Sequence, residues 1–282
     1  METPRLMDYH LHTAVTIDGK MGEIGACDRA LSLGIKEIAF TNHVMLTQPD
    51  YTMSPASFLD HWEQIQSCKQ RYPQINICLG IEMDYYLNRE KEIEATLESY
   101  EKSIGRPFDL VLGSVHEIKG GFFSSKYVAP GFFKDRDLVS LYCDYFELAA
   151  KAVNSRLFDI IAHPDLIKKY TYELTPPVPF DNYRLSVEPF IDALINCGVG
   201  LEVNTKGLKL EVKEAYPSIE FLELYLSKAK AFGSEPIITL GSDAHKVDDV
   251  GFCIYEAAAN LRKLGVRYLT SFENRNKSAM FL

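Results

Sequence analysis

The chain has 282 residues, 46% hydrophobic and 24% charged, with a net charge of -9, the balance of a globular protein with a sizeable core. The acidic balance argues against a nucleic-acid or anionic-membrane binder, whose footprint would be basic. No run approaches the roughly 18 apolar residues that a membrane span needs.

Met1–Asp8 carries no apolar leader segment. The six cysteines (Cys27, Cys68, Cys78, Cys143, Cys197 and Cys253) are scattered and form no C-x-x-C pair. They read as reduced thiols, and a cytoplasmic location is expected.

Taken in order, Leu6–His12 is a short apolar run, followed by helical spacing from Gly22 to Leu33 that stops at Gly34. Glu37–Asn42 is a second run, and Pro55–Tyr72 is helical and ends at Pro73. Asn76–Met83 is β-branched and apolar; Arg89–Lys102 reads as a charged, solvent-facing helix. Phe108–Val115 precedes a Gly-, Phe- and Ser-rich loop, Lys119–Lys134, and a helix near Asp135–Val153. Phe158–His163, Gly200–Asn204 and Pro236–Asp243 supply three more runs, with helices near Tyr183–Asn196, Ser218–Phe232 and Asp248–Leu264. Lys119–Lys134 and Lys168–Pro179 look like insertions able to cap a site.

Seven strand–helix units imply a parallel sheet clothed in helices. No G-x-G-x-x-G or Walker motif follows any strand, so dinucleotide and P-loop folds lack their fingerprint. The chain reads as a single domain, 1–282, without linker or repeat.

Six of the seven histidines close apolar runs, in Tyr9-His10-Leu11-His12, Thr41-Asn42-His43, Ser114-Val115-His116, His163-Pro164-Asp165 and Ser242-Asp243-Ala244-His245. Residues at i and i+2 of a strand project to one side, so His10 and His12 can chelate one ion. Asp243 and His245 repeat that spacing, and Glu82 ends an apolar strand, where an acid needs a partner or a metal. Taken singly, each has an ordinary alternative: a satisfied histidine, a helix-capping Asp243, a tight turn at Asp18-Gly19. Together they place imidazoles and carboxylates, the ligands of borderline divalent metals, at the ends of six of the seven apolar runs. A barrel gathers all its strand ends on one face, whereas an open sheet spreads them along a line.

The ordered set His10, His12, Asp18, His43, Glu82, His116, His163, Asp243 and His245 resembles the PHP (polymerase and histidinol phosphatase) superfamily. That pattern is HxH, an acid or His, then H, E, H, H and DxH. Gly80-Ile81-Glu82, Ser114-Val115-His116, Glu202-Val203-Asn204-Thr205 and Gly241-Ser242-Asp243-Ala244-His245 are similar to its histidinol-phosphatase branch. The resemblance implies a distorted (β/α)7 barrel with the nine residues holding three divalent ions (zinc, iron or manganese) at the C-terminal ends of the strands. It implies a phosphomonoesterase acting on a small phosphomonoester, L-histidinol phosphate, in histidine biosynthesis. A PHP-type phosphodiesterase or nucleotide phosphatase and a non-catalytic regulatory metal-binding module are the alternatives.

Two places depart from the family pattern. Gly207-Leu208-Lys209-Leu210 stands where a Gly-Leu-Arg-Lys phrase is expected, so Lys209 replaces an arginine and would meet phosphate as a point charge. Pro164 follows His163 where leucine is common. Three divalent ions, the three acids and one hydroxide would leave the pocket at roughly +2, suited to a phosphate dianion. Asp165 is the candidate general acid. Lys168, Lys169 and Lys209 are the candidate phosphate contacts, and Tyr85, Glu117 and Phe133 are candidate partners of the leaving group by location in the sequence alone.

Overall fold

The computed structural model of the chain describes residues 5–174 and 177–282, the side chains of residues 173 and 174 excepted. Its strands in chain order are β1 (Met7–Leu11), β2 (Glu37–Phe40), the two-residue β3 (His43–Val44), β4 (Asn76–Asp84) and β5 (Leu110–Ser114). A short β6–β7 hairpin follows (Glu117–Ile118 and Gly121–Phe122), then β8 (Ile160–Ile161), β9 (Gly200–Asn204), β10 (Ile238–Gly241) and a β11–β12 hairpin (Tyr268–Glu273 and Asn276–Phe281).

Seven strands lie in the order β1-β2-β4-β5-β8-β9-β10, all parallel, with β3 beside β4. A parallel bridge between Leu11 and Ala244 joins the two ends. There the His12 N–H donates to Ala244 O (2.9 Å) and the Ala244 N–H to His10 O (3.1 Å). The result is a nearly closed, distorted (β/α)7 barrel. Its strands are apolar runs buried on both faces, as parallel strands under helices must be. The seven expected runs and the seven barrel strands coincide.

The outer helices start and stop where local chemistry dictates. The Ser54, Asp137 and Ser218 side chains accept the first-turn N–H groups of helices Pro55–Arg71, Leu138–Asn154 and Ile219–Phe232. The helix expected from Asp248 begins only at Ile254, because Gly251 and Cys253 just before it adopt left-handed backbone (φ 73° and 52°). Lys119–Lys134 is more than a loop: it holds β7 and helix Ala129–Phe133, with Phe132 and Phe133 packed on Phe123. The segment Lys168–Pro179 includes helix Thr171–Leu174, while residues 175 and 176 lie outside the described residues.

The β11–β12 hairpin has no counterpart in the sequence reading. It closes the N-terminal mouth of the barrel. The Tyr9 hydroxyl bonds Glu37 and Ser271 and accepts the Phe272 N–H (3.2 Å). Asp109 accepts the Asn274 N–H (3.2 Å), and Arg275 donates from Nε to Asp159 (2.9 Å) and from Nη2 to the Leu157 carbonyl (2.8 Å). Glu37, Asp109 and Asp159 all stand at strand starts, so the opposite mouth is left for chemistry.

Candidate metal centre

The nine expected residues converge at the C-terminal mouth. Glu82 on β4 is the hub. Its Oε2 lies 2.8 Å from His43 Nδ1, 3.1 Å from His10 Nε2 and 3.4 Å from His12 Nε2. Its Oε1 lies 2.9 Å from His163 Nε2 and 3.8 Å from His116 Nε2, and accepts the Ser114 hydroxyl at 2.5 Å. Asp18, on the loop after β1, is a second focus, 3.3 Å from His43 Nε2 and 3.2 Å from His245 Nε2. Asp243 Oδ1 sits 3.2 Å from His245 Nδ1 and 3.6 Å from His12 Nε2. Strand alternation puts His10 and His12 on one side, their rings 5.0 Å apart. His163 (φ 29°) and Asp243 (φ 50°) hold left-handed backbone, a cost that clusters where a side chain must be aimed.

Two further carboxylates stand behind the imidazoles, and sequence reasoning missed their role. Glu202 Oε1 meets His10 Nδ1 at 2.8 Å, while its Oε2 accepts the His163 N–H (2.8 Å) and the Asn204 amide (3.0 Å). Asp84 Oδ1 meets His116 Nδ1 at 2.7 Å. Each fixes which ring nitrogen faces inward, the usual work of an outer carboxylate on a ligating histidine. The available signal was the i, i+2 spacing: Asp84 shares a strand face with Glu82, and Glu202 with Asn204. Gly241 leaves room for Glu202, because a Cβ there would lie 1.9 Å from Glu202 Oε1. Two more acids beside the site, offset in part by Lys206 next to Asp243, lower the positive surplus expected from the sequence.

Electrostatics divides the imidazoles. Burial drives His12 well below its ordinary value, and His245, His43 and His10 push it further. Burial opposes protonation of His10 too, but Glu202 and Glu82 outweigh it and raise its pKa. Glu82, despite complete burial, is held well below the carboxylate range by His43 and His10. Asp243 is also lowered against burial, mainly by Lys206, whose ammonium reaches its carbonyl at 2.5 Å.

A cavity of about 260 Å³ opens onto this cluster, lined by Asp18, His43, Glu82, His116, His163, Asp243 and His245. Lys126 and Lys169 also line it, as do the aromatic Tyr51, Phe122 and Tyr170. Of the expected phosphate contacts, only Lys169 is on that wall. Lys168 is buried on Asp165 (2.9 Å), Glu214 (3.3 Å) and the Ala215 carbonyl (2.9 Å). Lys209 is tied to Asp249 and stacks on Phe252. The expected general acid, Asp165, is absent from the lining as well. Its Oδ2 accepts the Ser218 N–H at 2.8 Å, and burial raises its pKa against the pull of Lys168. Tyr85 and Glu117 line a separate cavity, and Phe133 packs in the core.

The donor set fits divalent cations. Two ligands about 2.1 Å from one ion at a tetrahedral angle stand roughly 3.4 Å apart, close to the separations around Glu82. Donor atoms of His12–His43–His245, His10–His163–Asp243, His10–His12–Glu82 and His43–Glu82–His116 each lie within 4.8 Å of one another. His12 is fully buried with neither ring nitrogen in a hydrogen bond. Such a group costs about 1–3 kcal/mol unless an ion takes its lone pair.

Known proteins point the same way. The PHP domain family model matches residues 8–206. A probable histidinol-phosphatase of Deinococcus radiodurans is 32% identical over 270 residues, 94% of this chain and 96% of its own length. A histidinol-phosphatase of Lactococcus lactis is 24% identical, covering 97% of this chain and 98% of its own. The crystal structure of histidinol phosphate phosphatase from Lactococcus lactis, complexed with zinc, L-histidinol and phosphate, superposes with a TM-score of 0.80 at 22% identity. That superposition covers 97% of this chain and 99% of the other. With more than half its length matched by the family model and a relative above 30% identity along nearly all of it, the chain belongs to the PHP domain family.

Proposed function

We propose that the chain is a metal-dependent phosphomonoesterase, a histidinol-phosphatase that hydrolyses L-histidinol phosphate to L-histidinol and phosphate in the cytoplasm. The observation that carries this reading is the convergence of six histidines and three acids at one barrel mouth, in a chain similar end to end to histidinol-phosphatases. His10, His12, Asp18, His43, Glu82, His116, His163, Asp243 and His245 would together hold three divalent ions, zinc, iron or manganese. Bound there, such ions polarise phosphoryl oxygens and bring the pKa of water to about 7.

The protein's own groups do the rest. Glu202 and Asp84 each take the Nδ1 side of an imidazole, His10 and His116, so that Nε2 is the nitrogen turned toward the site. Lys169 and Lys126, on the cavity wall, supply the positive charge that draws in a phosphate dianion. Lys168 and Asp165 brace each other in the turn after β8, and Lys209 holds Asp249. The aromatic side chains Tyr51, Phe122 and Tyr170 give a planar leaving group an apolar wall. The whole length, 1–282, acts as one domain. Among the described residues no helix is long and apolar enough to cross a membrane.

Phosphate release from histidinol phosphate and from a nucleotide panel, measured on protein reconstituted with each metal, tests the reading. Strong turnover of histidinol phosphate with little on nucleotides is expected, lost in the double variant H10A/H12A together with bound metal. Equal or better turnover of nucleotides would overturn the substrate assignment.

A further inference from the structure

His61 is the one histidine outside the motifs. It lies on helix Pro55–Arg71, is 1% exposed, and lines none of the site. Its Nδ1 meets Glu23 Oε1 at 2.5 Å, and its Nε2 meets the Asn42 amide nitrogen at 3.2 Å. A carboxylate only accepts and an amide nitrogen only donates. His61 must therefore carry its proton on Nδ1, toward Glu23, and its lone pair on Nε2, toward Asn42.

That choice orients Asn42. With its nitrogen on His61, the Asn42 Oδ1 accepts the Thr13 N–H at 2.7 Å and the Thr13 hydroxyl at 3.3 Å. The Asn42 main-chain oxygen accepts the Glu82 N–H at 3.1 Å. Thr13 directly follows His12, and Asn42 directly precedes His43. The rings of His12 and His43 stack at 4.3 Å. His61, Asn42 and Thr13 are at most 1% exposed and Glu23 8%, so the chain of bonds is largely shielded from water. Helices Glu23–Ser32 and Pro55–Arg71 thus reach three of the segments that present metal donors.

We propose that Glu23 and His61 are positioning residues that set the spacing of His12 and His43 through the Asn42 amide, and so determine how tightly the centre retains a divalent ion. The inference rests on the metal reading above. Its signature is hydrogen-bond polarity rather than volume. Glutamine at position 61 can donate to Glu23 and accept from Asn42; leucine can do neither. Glutamine at position 23 still offers an oxygen to the His61 N–H, while leucine does not.

The test is zinc retention by the folded protein: stoichiometry by elemental analysis, and the rate of zinc transfer to a colorimetric chelator, each variant held equally far below its own Tm. H61L should release zinc at least about tenfold faster than wild type, the low end of what outer-shell changes cause. H61Q and E23Q should stay within about threefold. A role confined to helix packing would lower Tm in H61L but leave zinc transfer unchanged, and that result overturns the proposal. So does H61Q losing zinc as fast as H61L. Should H61L not fold, E23L against E23Q decides by the same criterion. A wild-type protein that takes up no zinc, iron or manganese removes the metal reading itself, and the inference falls with it.

Discussion

Glu202→Gln changes one atom at the base of the site, and its cost can be worked from the donors around it. The two Glu202 oxygens take three N–H groups, those of His10 Nδ1, the His163 main chain and the Asn204 amide. Glutamine has one oxygen. Turned toward His10, it sets its NH2 against two donors; turned the other way, it forces the His10 proton onto Nε2, the nitrogen facing Glu82. In the first case those donors are stranded, and in the second the new amide keeps a hydrogen beyond the one that His10 Nδ1 takes, at about 1–3 kcal/mol either way. At about 2.1 cal/mol/K per residue, the 282-residue chain unfolds with an entropy near 0.6 kcal/mol/K, so Tm should drop by about 2–5 °C in chelator. With zinc the drop should be larger, because zinc affinity falls about 10–100-fold when such a partner is lost. Differential scanning calorimetry with and without zinc, paired with chelator competition, reads both effects. Full zinc affinity together with a Tm in chelator within about 1 °C of wild type would refute the three-donor argument.

Asp84→Asn keeps an oxygen for His116 but not the charge, and zinc affinity should fall about tenfold in chelator competition. Gly241→Ala would drive a methyl into Glu202 and His10, which lie 1.9 Å and 2.6 Å from the Cβ position; metal content by elemental analysis should drop while circular dichroism stays native. Lys169→Ala and Lys126→Ala remove ammonium groups worth about 1.5–3 kcal/mol when bonded to phosphate, so steady-state kinetics should show KM raised by roughly tenfold or more, with kcat changed less. Phe58→Ala empties a fully buried ring packed on Tyr100 and Phe108; a loss of about 3–5 kcal/mol should lower Tm by roughly 5–8 °C, with zinc affinity retained.

The barrel was legible because parallel strands under helices are continuous apolar runs, and Asn76–Met83 or Pro236–Asp243 can hardly be anything else. Eight of the nine clustered donors were legible because each sits at or just past the end of such a run; Asp18, in a turn-like Asp-Gly pair, entered only through the family pattern. The outer carboxylates were not, since Asp84 and Glu202 read as ordinary strand-end acids until their partners from other strands are seen. The lysines misled for the same reason. Lys168 and Lys209 follow strand ends in sequence, but buried acids, Asp165 and Asp249, claim their ammonium groups first. Lys126 sits in the insertion after β7, where no periodicity announces a wall of the pocket. The β11–β12 hairpin escaped because Asn276–Phe281 is mostly exposed and only its last three residues are apolar, too short a run to detect.

That hairpin has a consequence for how the molecule is made. Tyr9 waits for Ser271 across 262 positions, and Asp8 for Gly251 across 243. Contacts this remote must be reached through a large loss of chain freedom before they reward it, which slows assembly. On the ribosome β1 emerges well before β10 and stands with an unpaired edge until β10 is synthesised. A stalled nascent chain is then an open half-cylinder of apolar strands, the kind of surface that holdases cover and that aggregates when they do not.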